Sequence, residues 1–385
     1  MDFIKKKEAS TTPVKSGSSR TKKKKSLSTI DKINAYLLTL QRVPLKEKLF
    51  FVQHLVPMLR VGISLPKGLR TLSKQSGNKF FQSILVEVAE KVDGGETLAN
   101  SIRPYKKVFG ELFVSMIETG EVSGNLEKVL EQLYLQMKKE HHLISKVRGA
   151  LTYPTVILVA MFGIMSFMFV VVIPQMTEIF TEMDVDLPLA TKILISVSNA
   201  IANNLLISVI ILIVAVLVFI KMIRTKKGKY IFHGLILKMP IVGSIVKKIN
   251  IARFARNISS LLKTDIMIVK SFQVTANVLG NLHYRNAVLD MSEQIKKGEK
   301  LYDTIQKYPK LFPPVVQQMI DVGEETGELD SILMELAEFY EGEVDQIMSD
   351  LPALIEPLLI LVLGVGVGGI AVAVIMPMYS LSSSY

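Results

Sequence analysis

A chain of 385 residues that is 49% hydrophobic and 21% charged has a mean hydropathy of +0.36, which requires its apolar residues to be gathered into spans. It contains no Cys, and this excludes a disulfide framework, a thiol nucleophile, thiolate zinc and iron–sulfur ligation. The formal net charge of +11, from 46 basic and 35 acidic residues, suggests a nucleic-acid or membrane partner until its distribution is considered.

Most of that charge lies at one end. Residues 1–25 carry nine Lys or Arg against Asp2 and Glu8, a net of +7. Residues 1–45 read as a basic, disordered tail, because few apolar residues are present to be buried. No apolar core segment or small-residue cleavage site follows the charges, so the tail is not a signal peptide. A solvated tail beside anionic lipid is the plainer reading and nucleic-acid contact the alternative; no nucleic-acid partner is expected.

Residues 46–150 form the first soluble unit. Leu126, Val129, Leu130, Leu133 and Met137 recur at steps of three and four, the spacing of one helix face. Gly94-Gly95 and the stretch from Gly120 to Gly124 cut the pattern into helix-sized pieces. The unit reads as a compact antiparallel helical bundle.

Residues 151–174 then read as a first transmembrane helix, inside the charge-free window 149–177. A short external connector, 175–202, leads to a second span at 203–221. A second cytoplasmic helical domain with a basic linker occupies 222–352, a third span 353–378, and an external C-terminus 379–385. Lys138, Lys139, Lys146 and Arg148 precede the first span, and Lys221, Arg224, Lys226, Lys227 and Lys229 follow the second. The connector carries four acidic residues and only Lys192 as a cation. By the positive-inside rule the N-terminus and both soluble units are cytoplasmic, in a multi-pass membrane protein. The expected fold class is therefore an all-α membrane protein: two homologous cytoplasmic bundles in tandem and three transmembrane helices.

An internal repeat explains the odd number of spans. At an offset of 203 residues Met116–Leu130 lies over Met319–Leu333, with seven of the fifteen positions identical. The register extends to the span boundaries, Pro154 over Pro357 and Pro174 over Pro377. Two copies in one orientation need one extra crossing between them, and the unrepeated second span supplies it.

The sharpest local feature is Gly-Glu-x-Ser/Thr-Gly-x-Leu, formed by Gly120, Glu121, Gly124 and Leu126 and again by Gly323, Glu324, Gly327 and Leu329. A tight helix–helix turn accounts for the glycines, read as positive-φ positions, and for the leucine that anchors the next helix. Three roles fit the two acids: capping backbone donors, binding a cation, or touching a partner. In the third span Gly364 and Gly368 suit close helix approach, with a lipid-facing role as the alternative. The acidic run from Asp321 to Glu356, free of Lys and Arg, suggests a face for a basic partner.

Catalytic constellations are missing. There is no phosphate-binding Gly-x-x-x-x-Gly-Lys-Ser/Thr loop, no His-Glu-x-x-His and no Gly-x-Ser-x-Gly elbow. No cofactor, metal site or enzymatic activity is expected. The spans hold no ionisable residue in their interiors, which disfavours the alternative of a membrane transporter or signalling protein.

Tandem helical units bearing this doubled motif, each running into a span that opens at Tyr153-Pro154 or Glu356-Pro357, resemble the type II secretion system protein F family. That family includes the inner-membrane platform proteins of type IV pilus machines (PilC-like), and the resemblance covers residues 45–380. It implies a platform that couples a hexameric cytoplasmic ATPase to polymerisation of pilin or pseudopilin. Other inner-membrane assembly proteins, the lipid bilayer and further copies of the chain are the remaining partners it implies. Some members bind calcium through the Gly-Glu motif and an acidic position early in the first domain; here that position falls on Pro66 or Lys67.

Overall fold

The computed structural model describes residues 43–182, 189–202 and 204–382. The tail up to residue 42, the middle of the connector and residues 383–385 lie outside them. Every regular element among the described residues is helical.

In the first repeat α1 (Leu45–Arg60), α2 (Leu65–Gln75), α3 (Lys79–Asp93), α4 (Leu98–Ile102), α5 (Lys106–Phe109) and α6 (Glu111–Val122) build the bundle. The chain then enters α7 (Leu126–Phe167), passes through a single π-helical stretch at Met168–Val172, and continues as α8 (Ile173–Glu182). Two helices, α9 (Leu189–Ala202) and α10 (Leu205–Arg224), and a short basic helix, α11 (Lys226–Lys238), lead to the second repeat. There α12 (Val242–Leu262), α13 (Ile268–Val278), α14 (Leu282–Lys296), α15 (Leu301–Ile305), α16 (Pro314–Thr326) and α17 (Leu329–Ser382) follow.

The sequence offset persists in three dimensions. Helices α13, α14 and α15 begin and end 203 residues after α2, α3 and α4. The same capping chemistry starts α3 and α14, where Asn78 Oδ1 accepts from Phe81 N and Asn281 Oδ1 accepts from His283 N, both at 2.9 Å. Each core is organised by the same three aromatic positions. Phe51, Phe81 and Phe109 meet in the first bundle with ring centroids 5.8–6.3 Å apart. Phe254, Tyr284 and Phe312 take their places in the second, at 5.0 and 5.4 Å from the Phe312 ring. The buried tyrosine hydroxyl is satisfied by donating to Leu311 O at 2.6 Å.

Helices α7 and α17 leave their bundles without a break, and the 42 residues of α7 reach about 60 Å at 1.5 Å per residue. Pro154 and Pro357 lie inside them, and neither helix restarts there. One lost hydrogen bond is tolerable there, and Thr152 and Thr155 donate to the carbonyls of Arg148 and Leu151 at 2.9 and 2.7 Å. The disruption falls at Pro174 instead. Its ring would clash with the carbonyl four residues back, and the π-helical stretch spans that position. Ser198 of α9 donates to the Phe169 carbonyl within the same stretch at 2.5 Å. The equivalent Pro377 lies within the unbroken α17.

Two helical stretches, Leu126–Glu178 and Leu329–Gly369, are long and apolar enough to cross a membrane, and only 6% and 11% of their apolar windows are buried. Buried core helices of a soluble protein would show the reverse. α10 is a 20-residue helix that also turns Ile210, Ile211, Leu217 and Val218 outward. The described parts of the connector are the helices α8 and α9.

Candidate functional site

Each Gly-Glu motif closes one helix and starts another. In the first, Asn125 N donates to Gly120 O at 2.9 Å and Gly124 N to Glu121 O at 3.3 Å, the paired bonds of a helix that ends on a left-handed residue. Gly124 has φ +69° and Gly327 φ +76°, the conformation that favours glycine. The first glycine of each motif has a different task from the one its sequence suggests. Gly120 and Gly323 lie within α6 and α16, not at positive φ, and each marks a close helix approach. A Cβ on Gly120 would stand 3.0 Å from Val129 Cβ and Cγ2, and one on Gly323 would stand 3.1 Å from Leu329 Cα. Gly120→Ala and Gly323→Ala are each expected to cost about 1–3 kcal/mol through overpacking, measured as a lower thermal midpoint in detergent. Leu126 and Leu329, the first residues of α7 and α17, pack against the cores of their bundles.

The two acids face inward along the chain. Glu121 Oε1 and Oε2 accept from Leu98 N and Ala99 N at 2.5 and 2.7 Å. Glu324 does the same to Leu301 N and Tyr302 N, at 2.8 and 2.9 Å. One carboxylate thus satisfies two orphan donors at the start of a five-residue helix and places negative charge at its positive end. The calcium that the family resemblance raised does not fit the residues present here. Both oxygens of Glu121 are taken, and no group of three or more His, Asp or Glu converges among the described residues.

A second constellation went unrecognised in the sequence. Helices α7 and α17 run side by side in the same direction. His142 Nε2 lies 3.1 Å from Asp345 Oδ2, its repeat equivalent. Further along, Met161, Met165 and Met168 share a small cavity with Leu363 and Val367. Between these levels Leu143, Ala150, Val344, Met348 and Leu351 form an apolar cluster. Gly366, rather than Gly364 or Gly368, marks the close approach, since a Cβ there would stand 2.7 Å from Met165 Cε, whereas Gly364 and Gly368 face open space.

Polar contacts from α12 lock this pair to the second bundle. Arg256 makes a two-pronged contact with Glu341 of α17, with Nη2 2.8 Å from Oε2. Lys139 of α7 reaches the same carboxylate at 3.4 Å. Arg253 grips Glu140 through Nε and Nη2 at 3.1 and 2.5 Å. Buried Gln136 donates to Asn257 Oδ1 and accepts from Ser260 Oγ at 3.1 Å. The acidic face read for a basic partner is therefore partly used within the chain: Glu341, Glu343 and Asp345 face Arg256, Lys248 and His142. The available signal was divergence between repeats, because Arg253 and Arg256 stand where the first copy has Phe50 and Gln53.

Comparison with known proteins matches this architecture. The sequence model of the family described as type II secretion system (T2SS), protein F, matches twice, over residues 51–174 and 254–377, the two copies of the repeat. The type IV pilus assembly protein PilC of Thermus thermophilus is 34% identical over 89% of this chain and 84% of its own length. PilC of Myxococcus xanthus is 32% identical over 88% and 81%. The type II secretion system protein F of Aeromonas hydrophila is 28% identical over 91% and 90%. With the repeat, the capped bundles and the double match in agreement, the chain belongs to the type II secretion system protein F family.

Proposed function

We propose that this chain is the inner-membrane platform of a type IV pilus or type II secretion machine, coupling a cytoplasmic assembly ATPase to polymerisation of pilin or pseudopilin. One observation carries the reading: two family-length modules feed helices that run parallel, pairing His142 with its equivalent Asp345. Parallel helices that both cross the bilayer put both bundles on one face, and α10 supplies the return crossing. A part that passes motion from an ATPase to membrane-embedded subunits needs stiff, continuous connections. The unbroken α7 and α17, anchored at Leu126 and Leu329, are such connections. The chain itself acts as a structural transmitter, with no catalytic chemistry of its own, and assembles with further copies and other inner-membrane proteins.

The absence of native cysteine allows a clean test. Single cysteines at Val122 and Val322, both exposed, should resist a membrane-impermeant maleimide in cells with permeabilised outer membranes and react after lysis. A cysteine at exposed Leu189 should react before lysis. Labelling Val122 and Val322 in opposite compartments would overturn the topology. Deleting the gene should abolish surface filaments or secretion while pilin subunits remain in the membrane; unchanged assembly would refute the platform role.

A further inference from the structure

A groove of about 760 Å³ opens between α7, α11 and α12. Leu151 and Val156 of α7, Ile236 of α11 and Ile249 of α12 give it apolar walls. Its charged lining is of one sign: Arg148 and Arg253 line it, and neither Asp nor Glu does among the described residues. Arg148 is exposed and makes no ion pair among the described residues. Arg253 commits Nε and Nη2 to Glu140, while its Nη1 faces Gly280.

Two polar groups at the back of the groove complete the pattern. Asn250 is only 4% exposed. Its Nδ2 donates to Val246 O at 2.7 Å, and its Oδ1 has no donor among the described residues. A buried acceptor left so costs about 1–3 kcal/mol unless something supplies a donor. His233 accepts from Leu282 N through Nδ1 at 3.0 Å, which leaves the ring proton on Nε2 as a further donor. Burial, then the charge of Lys229 and the neighbouring His283, hold its pKa below the usual histidine value, so the ring is neutral.

The position of the groove identifies the occupant. The charge-free window of α7 begins directly after Arg148, and the exposed apolar surface continues from Leu151 and Val156 to Val159 and Phe162. α11 carries Lys226, Lys227 and Lys229 together with exposed Tyr230, Ile231 and Leu235, the composition of a helix lying in a membrane interface. We propose that the groove holds one phospholipid with an anionic headgroup that also carries hydrogen-bond donors, of the phosphatidylglycerol kind. The phosphate sits by Arg148 and Arg253, a headgroup hydroxyl donates to Asn250 once the groove wall parts to uncover its buried Oδ1, and an acyl chain follows Leu151 and Val156 along α7. Such a lipid wedges α11 and α12 against the base of the first membrane helix, joining the linker of the second bundle to the first. The inference rests on the reading that α7 crosses the bilayer.

The test uses the full chain in nanodiscs of equimolar phosphatidylglycerol and phosphatidylcholine, then detergent exchange and native mass spectrometry. One phosphatidylglycerol per chain should be retained in preference to phosphatidylcholine. Arg148→Ala should lower retention about fivefold, the effect of one interfacial cation. Thr152→Trp, which fills the groove, should lower it as well, and Arg224→Ala outside the groove should leave it unchanged. Equal retention by wild type and Arg148→Ala, or equal retention of the two lipids, overturns the site. Capture of a protein helix instead of lipid by a photoreactive residue at Leu151 in cell membranes also overturns it. The cysteine labelling of Leu189 and Val122 reports the crossing separately: correct labelling without groove-dependent retention removes the lipid and leaves the platform reading intact.

Discussion

Glu324→Ala is expected to unfold the second bundle at temperatures where the wild-type chain is stable, with a loss of about 3 kcal/mol. The carboxylate satisfies both Leu301 N and Tyr302 N, and each donor left unpaired costs about 1–3 kcal/mol. The N-cap residue of α15 is Lys300, whose side chain offers no capping bond. Glu324 is therefore the side-chain acceptor on which that helix start depends. The first bundle is better insured, because Thr97 Oγ1 accepts from Asn100 N at 3.2 Å beside the bonds to Glu121. Glu121→Ala should consequently cost less, about 2 kcal/mol. Glutamine keeps one acceptor oxygen, so Glu324→Gln should recover about half the loss and drop the charge at the helix start. Thermal unfolding in detergent reads these differences, and filament or secretion assays on the same variants separate folding from docking. A Glu121→Ala chain with wild-type stability and abolished assembly would move that residue from capping to partner contact.

What the sequence could reveal here follows the range of the interactions. The duplicated bundles were legible because Met116–Leu130 recurs at a fixed offset as Met319–Leu333, with the prolines in the same register. Apolar windows of span length were legible from composition alone. The motif acids stood out by recurring in register, yet their capping role could not be selected from several. Their partners, Leu98 N and Leu301 N, are backbone groups 23 residues away, and backbone groups leave no mark in a sequence. Local rules also overreached at the prolines. Pro154 and Pro357 read as span boundaries, yet the long helices continue through them, and the π-helical winding lies ahead of Pro174. The seam was the least legible part. Gln136 meets Asn257 across 121 residues of sequence, and no periodicity links such positions. Only comparison of the copies with each other hints at it, since a residue buried at an interface between repeats is free to depart from its twin. A duplicated fold is therefore best read twice, once for the positions that agree and once for those that do not.

Arg256 is a position where the copies disagree, since the first has Gln53 there. It is 7% exposed and holds Glu341 through two nitrogens, while Lys139 approaches the same carboxylate from α7. One acid thereby ties α7, α12 and α17 together below the level at which the two long helices pair. Truncating one member of a buried ion pair leaves the other charge uncompensated and typically costs about 3–5 kcal/mol. Arg256→Met should approach the lower figure, about 3 kcal/mol, because Lys139 still partly screens Glu341. Arg256→Met with Glu341→Leu removes both charges and should regain most of that stability. The informative comparison is between stability and assembly. A platform that transmits motion through the seam needs the three helices held in register, a role that apolar replacements of similar size do not specify. The double variant should therefore unfold close to the wild-type temperature and still assemble filaments poorly. Full assembly by the double variant would show that the ion pair serves stability alone, and that force passes along α7 and α17 without this lock.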